Sequence, residues 1–292
     1  YILSWGFDDW RLQPTVPIND ASPAAYKSTF SATNPRPATS PAVGGDFSVA
    51  AFNVFNYFTT FSDDNPDARG AENQAEFDIQ KSKIVAAING LDADVVTLME
   101  IENSIKLGEP VDTALADLVA GLNAAAGSDV WSYVPTPAAL ADAAATTDFI
   151  TNAIIYRNAI ATPVGASFAD TDETVWDIAR EPIAQTFEID GRTVTVVANH
   201  FKSKSSPGGT PPPAEPADGQ GFFNAERVEQ ANRLLAFADT IAADAAKGPD
   251  ILMLGDFNSY AQEDPVQAIT AAGFVDLVPA KTDGQYTYTF DG

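Results

Sequence analysis

The sequence predicts an α+β fold: a four-layer α/β sandwich in which two packed, mixed β-sheets are flanked by helices. Short apolar runs of strand length outnumber the segments with helical periodicity. The helical segments are interspersed between these runs, which favours helices on the outer faces of the sheets. Asp190-Gly191 joins two β-rich runs, and this dipeptide is typical of a two-residue type I′ hairpin. An antiparallel pair is therefore expected in one sheet.

The individual elements follow from apolar periodicity and from turn residues. In chain order they are a strand over 47–54, a helix over 76–89 with Gly90 as its C-cap, a strand over 95–99 ending at Glu100, a helix over 111–126, a strand over 153–156, the hairpin 183–189 and 192–197, a helix over 222–246, a strand over 251–255 ending at Asp256, and a helix near 264–272. No internal repeat is present.

Two proline-rich segments interrupt this pattern. Residues 1–45 lack sustained periodicity and are interpreted as a lead-in or as the tail of an upstream domain. Residues 202–220 are too long and too rich in proline for a packed connection, so a surface loop is expected. The predicted domain organisation is a lead-in over 1–45 and a catalytic domain over 46–292.

Composition excludes several classes of protein. Hydrophobic residues make up 45% and charged residues 19% of the 292 residues, so the chain can bury a core and is not a disordered protein. The absence of cysteine excludes disulfide frameworks, iron–sulfur clusters and cysteine nucleophiles. The net charge of −24 argues against a protein that binds nucleic acid through a basic tail. It does not exclude a nuclease, because catalysis needs only a local positive cleft.

The residue types available favour a hard cation as a metal cofactor. His200 is the only histidine, and a zinc site usually takes at least two ligands from cysteine and histidine. Forty carboxylates offer ligands to Mg²⁺, with Mn²⁺ or Ca²⁺ as alternatives. No apolar run is long enough to span a bilayer, so no membrane insertion is expected. The sequence indicates no particular protein partner.

Polar residues follow four of the predicted strands. Asn53, Glu100 and Asp256 with Asn258 come after buried apolar runs, and the second arm of the hairpin ends in His200. Each residue alone could cap a turn or face solvent. Together they form a pattern that no core requires, and strand ends are where sites assemble. Carboxylates and carboxamides suit a hard cation, and an imidazole beside them suits acid–base chemistry.

These segments resemble the endonuclease/exonuclease/phosphatase superfamily, the group of deoxyribonuclease I. The likeness runs in sequence order over roughly residues 46 to 292 and is specific only in combination. The matching segments are Ala51-Phe52-Asn53-Val54-Phe55-Asn56, Leu98-Met99-Glu100-Ile101-Glu102, Arg180-Glu181-Pro182, Asn199-His200-Phe201-Lys202-Ser203-Lys204 and Gly255-Asp256-Phe257-Asn258.

Several further short segments are similar to those of large secreted bacterial nucleases within this superfamily. Their catalytic domain commonly follows a Pro-rich stretch that resembles Thr33-Asn34-Pro35-Arg36-Pro37. Asp218-Gly219-Gln220-Gly221, Asn224 and Arg227 also resemble those nucleases. The resemblance implies a secreted or cell-surface location and a nucleic acid substrate, DNA first and RNA as an alternative.

The resemblance also implies a role for each site residue in phosphodiester hydrolysis. Glu100 would ligate the cation, with Asn53 positioning the metal or the phosphate. Asp256 would orient or deprotonate the attacking water, and Asn258 would hold a non-bridging oxygen. His200 would act as acid, base or phosphate donor, with a pKa near neutrality.

Arg180 and Glu102 are assigned with alternatives. The resemblance implies that Arg180 grips the substrate phosphate, while a surface ion pair with a carboxylate is the competing interpretation. Glu102 shares a strand face with Glu100 and is expected to have a supporting or a solvated role.

One departure from the superfamily concerns the end of the chain. The superfamily carries a Leu-Asp-His-like segment and a final Asp-His pair, and no histidine follows His200. Phe290-Asp291-Gly292 falls just before the first of these segments. The expectation is a C-terminally incomplete fragment, with a degenerate, non-catalytic protein as the alternative.

Two other functions stay open at this point. The first is a phosphomonoesterase or a lipid or inositol phosphodiesterase on the same fold, since a fold does not determine a substrate. The second is a non-catalytic surface module. The sequence does not distinguish DNA from RNA, an endonuclease from an exonuclease, one cation from another, or one oligomeric state from another.

Overall fold

The structure of the chain is a computed structural model. It describes residues 1–6, 9–29, 39–144, 146, 148–209, 216 and 218–281. The chain divides into two compact units, Tyr1–Ala38 and Thr39–Gly292.

The regular elements are named here in chain order. The strands are β1 (Ile2–Gly6), β2 (Asp9–Gln13), β3 (Val49–Tyr57), β4 (Val95–Glu102), β5 (Trp131–Tyr133), β6 (Ile150–Arg157), β7 (Ala161–Ala169), β8 (Arg180–Ile189), β9 (Arg192–His200) and β10 (Asp250–Asp256). The helices are α1 (Gln74–Leu91), α2 (Thr113–Ala126), α3 (Glu173–Trp176), α4 (Asn224–Ala242), α5 (Asp264–Ala271) and α6 (Leu277–Lys281).

The first unit contains an antiparallel hairpin. Strands β1 and β2 pair from Ile2 opposite Gln13 to Gly6 opposite Asp9. The rings of Trp5 and Trp10 meet edge to face with centroids 5.4 Å apart. The lack of sustained periodicity in residues 1–45 gives no indication of this hairpin, which a cross-strand aromatic pair supports.

The described residues of the second unit form two four-stranded sheets. One has the strand order β3-β4-β6-β5 and the other the order β10-β9-β8-β7. The pairs β3 with β4 and β9 with β10 are parallel, and the remaining neighbours are antiparallel. Strands β3 and β10 each form an edge of their sheet, so polar side chains at their ends remain accessible.

Three hydrophobic clusters separate four layers. The first packs α1 and α2 on the outer face of the β3-β4-β6-β5 sheet and includes Ile88, Leu118 and Ile155. The second lies between the two sheets, where Ile154 faces the β7–β10 sheet. The third packs α3, α4 and α5 on the other outer face and includes Leu234. Ile154 and Ile155 point to opposite sides, as strand geometry requires, and the predicted sandwich is confirmed.

The predicted hairpin is confirmed and one predicted helix end is wrong. Asp190 and Gly191 both have positive φ, 49° and 72°, which is the backbone of a type I′ turn. Gly90, predicted as the C-cap of α1, lies inside the helix. The left-handed capping residue is Asp92, with φ 52°. An aspartate tolerates this region better than most residues with a Cβ.

The boundary predicted between residues 45 and 46 stays a prediction, since the compact units divide between residues 38 and 39. The stretch 33–37 lies outside the described residues. No helix among the described residues combines the length and the apolar character needed to cross a membrane.

Candidate active site

Asn53 lies where β3 departs from regular pairing. The register between β3 and β4 shifts between Asn53 and Tyr57. Phe55 and Asn56 within this bulge have positive φ, 53° and 55°. Phe55 N donates to Asn53 Oδ1 at 2.9 Å, so the bulge fixes the orientation of the Asn53 amide. Bulges at sheet edges commonly re-aim a side chain next to a site.

Glu100 occupies a second bulge on the neighbouring strand. The register between β4 and β6 shifts between Leu98 and Ile101, and Glu100 has φ 65°. This conformation is unfavourable for a residue with a Cβ and persists only where the surroundings impose it. Asn56 N donates to Glu100 Oε2 at 3.1 Å. The two bulges are thus bonded to each other, and the carboxylate leaves the regular alternation of β4.

Asp256 ends β10, and the glycine before it permits the approach of that strand. A Cβ at Gly255 would lie 1.8 Å from the carbonyl oxygen of Asn199. Phe201 N donates to the carbonyl oxygen of Asp256 at 2.9 Å, which continues the β9–β10 pairing past His200. Glycine is therefore required before Asp256 for a steric reason: only a residue without a Cβ lets β10 pack this closely on β9.

The Asn53 amide joins the two sheets at this point. Asn53 Nδ2 donates to Glu100 Oε1 at 2.9 Å and to Asp256 Oδ2 at 3.3 Å. Two carboxylates from opposite sheets thus converge on one nitrogen. Glu100 is partly buried and the Asp256 side chain is 34% exposed, so the pair opens to solvent.

His200 lies beside Asp256 as a neutral imidazole. Its Nε2 is 3.9 Å from Asp256 Oδ2, and its side chain is 5% exposed. Burial, together with the charges of Arg180 and Lys202, lowers the pKa of His200 to about 2. The expectation of a pKa near neutrality is therefore wrong for this state of the protein, because the sequence does not reveal how deeply the ring is buried. Nδ1 has no hydrogen-bond partner within the described part of the chain.

Arg180 begins β8 and is buried rather than on the surface. Its Nη2 donates to the carbonyl oxygen of Phe201 at 3.1 Å. Its Nη1 lies 3.8 Å from Asp148 Oδ2, and Arg69 bonds the other oxygen of Asp148 at 2.8 Å. Burial lowers the pKa of Arg180, and Asp148, Glu100 and Asp256 oppose that shift. The ion pair weighed as its alternative therefore forms, with Asp148, but it is buried rather than on the surface, and Glu100 and Asp256 also favour the charged guanidinium.

Asn258 follows Asp256 in a left-handed conformation with φ 46°. Its backbone N donates to Asp256 Oδ1 at 2.9 Å, and its Nδ2 donates to the Phe201 carbonyl at 3.0 Å. That carbonyl also accepts from Arg180. Asn258 thereby fixes the Asp256 carboxylate and lies next to the guanidinium, with one amide N–H still available.

Glu102 lies in a closed pocket beside the site. It is 2% exposed, which overturns the solvated alternative. Three donors bind its oxygens: Thr59 Oγ1 at 3.2 Å, Thr60 N at 2.7 Å and Ser104 Oγ at 2.6 Å. A carboxylate with this many neutral donors is satisfied inside the protein and supports the loop after β3.

The donor set fits a hard divalent cation. Glu100 and Asp256 bring two carboxylates to one place, and Asn53 orients both through its amide nitrogen while its Oδ1 accepts from Phe55 N. Oxygen ligands with remaining waters are what Mg²⁺ prefers. Among the described residues, no group of three His, Cys, Asp or Glu side chains forms a complete metal cage. Glu100 is therefore the residue that would ligate the cation, with Asn53 positioning the metal shell.

The structure brings together all six residues predicted for the site, and it adds two. The predicted residues are Asn53, Glu100, Arg180, His200, Asp256 and Asn258. The added residues are Asn56, whose backbone binds Glu100, and Asp148, which pairs with Arg180. The repeated asparagine in Asn-Val-Phe-Asn is a signal that could have indicated Asn56. Asp148 lies in a loop without a recognisable pattern.

Comparison with known families decides the assignment. Residues 50–292 match the model of the Endonuclease/Exonuclease/phosphatase family. The chain belongs to this family. Enzymes of the family hydrolyse phosphoesters and generally use divalent metals. No curated protein sequence matches the chain.

Solved structures of the family share the fold at low identity. Sphingomyelinase C from Streptomyces griseocarneus is 20% identical, with 78% of this chain and 69% of that chain covered and a TM-score of 0.50. An endonuclease/exonuclease/phosphatase from Bacteroides vulgatus is 17% identical, with 80% and 73% covered and a TM-score of 0.50. A β-hairpin deletion mutant of beta toxin from Staphylococcus aureus is 13% identical, with 77% and 72% covered and a TM-score of 0.50. These likenesses concern the fold.

Proposed function

We propose that the chain is a divalent-metal-dependent phosphodiesterase, most simply an extracellular nuclease that hydrolyses DNA, with RNA as a second nucleic acid substrate. One observation carries the proposal. The Asn53 amide holds Glu100 and Asp256 together, while His200 lies 3.9 Å from Asp256 and the charge of Arg180 interacts with both carboxylates. This arrangement can bind a cation, a phosphate and an attacking water in one place.

Glu100 would ligate the cation, Mg²⁺ in the first instance, with Asn53 positioning the metal shell. When bound, the cation would neutralise charge on the phosphoryl oxygens and favour departure of the leaving oxygen. Asn53 and Glu100 lie 47 positions apart, and Asn53 Nδ2 donates to Glu100 Oε1 at 2.9 Å, so the chain presents the carboxylate already oriented.

Asp256 would orient the attacking water or accept its proton. Its Oδ1 is occupied by Asn258 N at 2.9 Å, and Oδ2 lies towards Asn53 and His200. A carboxylate fixed on one oxygen presents the other in a defined direction. The partial exposure of Asp256 leaves room for water at that oxygen.

His200 and Arg180 would act on the phosphate. A neutral imidazole can donate one hydrogen bond to a phosphoryl oxygen, and the incoming negative charge would raise its proton affinity. Arg180 contributes a permanent positive charge to the same oxygens. Asn258 supplies the remaining amide N–H next to Arg180.

The acidic surface affects how a polyanion reaches the site. A net charge of −24 repels DNA at long range unless salt screens it, and the screening distance is ~10 Å at 0.1 M salt. A saline or cation-rich extracellular setting would remove this penalty. Hydrolysis of DNA is therefore expected to rise with Mg²⁺ or Ca²⁺ beyond saturation of the site. A steady fall in rate as salt is added from very low ionic strength would contradict the idea.

A lipid phosphodiesterase is the second candidate. The observation that favours it is Phe55, which is 80% exposed two residues after Asn53 and could contact an apolar substrate. Parallel assays separate the candidates: release of acid-soluble nucleotides from plasmid and from RNA, release of phosphate from small monoesters, and release of headgroup from sphingomyelin vesicles. Metal-dependent release from nucleic acid alone supports the proposal, and release only from vesicles or monoesters overturns it.

A further inference from the structure

Phe55 is the most exposed large apolar side chain among the described residues, at 80%. Its neighbours Val54 and Tyr57 are buried in the core, at 1% and 0% exposed. The chain therefore turns one aromatic ring outward between two buried side chains of β3. Such exposure of an aromatic has no benefit for folding.

The backbone that presents Phe55 is held in place by the candidate active site. Phe55 and Asn56 are consecutive non-glycine residues with left-handed φ, a conformation that costs free energy. Asn56 N binds Glu100 Oε2 at 3.1 Å, and Gln80 Nε2 of α1 donates to the Phe55 carbonyl at 2.8 Å. Strain maintained by site residues points to a role for the side chain that it presents.

A groove of about 370 Å³ lies between this bulge and α1. Its lining includes Asn53, Phe55, Ile79, Gln80 and Lys83. Because Asn53 also bonds Glu100 and Asp256, the groove lies next to the candidate active site. Ile79 is 57% exposed and lies one helical turn before Lys83, so an apolar and a basic side chain share one face of α1.

Lys83 supplies positive charge in this groove. It is exposed, and within the described part of the chain no carboxylate lies within ion-pair distance of it. Glu76 also lines the groove, where its Oε2 accepts a hydrogen bond from Glu72 N at 3.1 Å. A free ammonium beside an exposed ring matches a nucleotide, which has one phosphate and one flat base.

We propose that this groove binds a nucleotide of the substrate strand that flanks the scissile phosphodiester. The Phe55 ring stacks on the base, and Lys83 neutralises the phosphate of the same nucleotide. Because every base has a π face, this contact is tolerant of sequence and suits a nuclease without strong base preference. The inference rests on the proposed nucleic acid substrate and adds the residues that select it.

The lining is largely apolar, but two charged side chains, Glu76 and Lys83, favour a nucleotide over a lipid chain. An acyl chain would have to cover the Glu76 carboxylate and the Lys83 ammonium without replacing their contacts with water, which is unfavourable. A nucleotide offers phosphate, sugar and base edges to those groups. Membrane contact is the competing interpretation of this groove, and binding to vesicles distinguishes it from nucleotide binding.

The test measures binding and hydrolysis separately. A short fluorescein-labelled oligothymidylate is titrated in EDTA with wild-type protein, Phe55→Ala, Phe55→Trp and Lys83→Gln, and fluorescence anisotropy gives Kd. Val275→Ala, at a position that is 69% exposed outside the groove, is the control for loss of exposed apolar surface. The same proteins are titrated with an abasic strand of equal length, which keeps the phosphates and lacks the bases.

Phe55→Ala is expected to raise Kd for oligothymidylate about tenfold, equivalent to ~1.4 kcal/mol, while Phe55→Trp and Val275→Ala leave it near the wild-type value. The abasic strand is expected to bind Phe55→Ala and wild-type protein equally. Lys83→Gln is expected to weaken both strands and to lower the slope of log Kd against log salt by ~0.7. On DNA with Mg²⁺, Phe55→Ala should raise KM with little change in kcat.

Three results would overturn the inference, and they differ in what else they overturn. If wild-type protein cleaves DNA and Phe55→Ala binds oligothymidylate normally, the groove is wrong and the nuclease function stands. If Phe55→Ala weakens the abasic strand equally, stacking is wrong. If wild-type protein binds no oligonucleotide and Phe55→Ala loses binding to sphingomyelin vesicles, the face is a membrane contact, and the proposed nuclease function falls too.

Discussion

Glu100 and Glu102 lie two residues apart on β4, and the protein uses them in opposite ways. Glu102 is 2% exposed and receives three hydrogen bonds from hydroxyl and backbone donors. Glu100 sits in a bulge with φ 65° and faces a second carboxylate across the Asn53 amide. The hydrogen bonds of Glu102 are satisfied within the protein. Glu100 lies beside Asp256, and a bound cation would neutralise the charge of that pair.

The contrast shows that accessibility and residue type are insufficient to identify a site. Both side chains accept hydrogen bonds, and both are carboxylates on one strand. The two glutamates differ because Glu100 lies close to Asp256. Two neighbouring carboxylates repel each other, and this costs free energy unless a positive charge lies between them. Arg180 relieves this cost only in part, since Asp148 and the Phe201 carbonyl share its guanidinium.

The largest expected effect tests this contrast through activity. Glu100→Gln is expected to lower the rate of metal-dependent phosphodiester hydrolysis by more than ~100-fold, because the cation loses a charged ligand. Glu102→Gln is the matched control and should retain most of the activity per folded molecule. Circular dichroism should show an intact fold in both. If Glu102→Gln is the less active protein, the metal assignment on this strand is wrong.

The second effect is metal-linked stability. Mg²⁺ at about 100 times its Kd should stabilise the wild-type protein by ~2.7 kcal/mol against unfolding, because only the folded state assembles the site. Glu100→Gln should lose this increment and Glu102→Gln should keep it. Denaturant titrations with Mg²⁺ and with EDTA give the difference. An equal increment in both variants would show that Mg²⁺ acts elsewhere on the acidic surface.

The third effect concerns the closed pocket itself. Glu102→Gln is expected to lower the free energy of unfolding by about 2 kcal/mol, because an amide cannot accept from all three donors and leaves one of them buried and unpaired. Glu102→Asp, which keeps the charge on a shorter stem, is the control for the role of charge. Urea unfolding in EDTA measures both. A stability equal to that of wild-type protein would show that the pocket admits water.

The smallest expected effect is a pH dependence that arises from His200. Its folded-state pKa of about 2 lies below the ordinary value of 6.5, so the unfolded chain binds the proton first as the pH falls. The associated stability is present above pH 6.5 and is lost progressively towards pH 2. At about pH 5.5 the loss is ~1.4 kcal/mol at most. In EDTA, wild-type protein should lose this amount relative to about pH 7.5, and His200→Gln should not. Equal losses in both would place the titration elsewhere.

The sequence predicts the parts of the site that depend on strand ends. Apolar runs before His200 and Asp256 indicate where two strands stop, and the Asp190-Gly191 turn fixes the hairpin that carries His200. The strand end predicted at Glu100 is wrong, because β4 continues through a bulge to Glu102. Those signals are local, so they can be read without the fold. The steric role of Gly255 is equally local once β10 is paired with β9.

The features that the sequence does not predict depend on tertiary structure. The bulges at Phe55 and Glu100 put positive φ on residues that do not favour it, and only contacts across the sheets maintain them. The low pKa of His200 follows from burial by surrounding elements. Asp148 comes from a loop with no periodicity, and its partner Arg180 is 32 positions further along the chain. The β1–β2 hairpin was missed because prolines dominate its neighbourhood.

The bond between Asn53 and Asp256 also has a consequence for folding kinetics. It joins residues 203 positions apart in the chain, on edge strands of two different sheets. Closing so long a loop has an entropic cost that is recovered only after each sheet has formed. Chains of this size commonly fold through intermediates with native-like secondary structure. Refolding protein should therefore regain its far-ultraviolet circular dichroism before its catalytic activity, which makes hydrolysis a reporter of the last docking step.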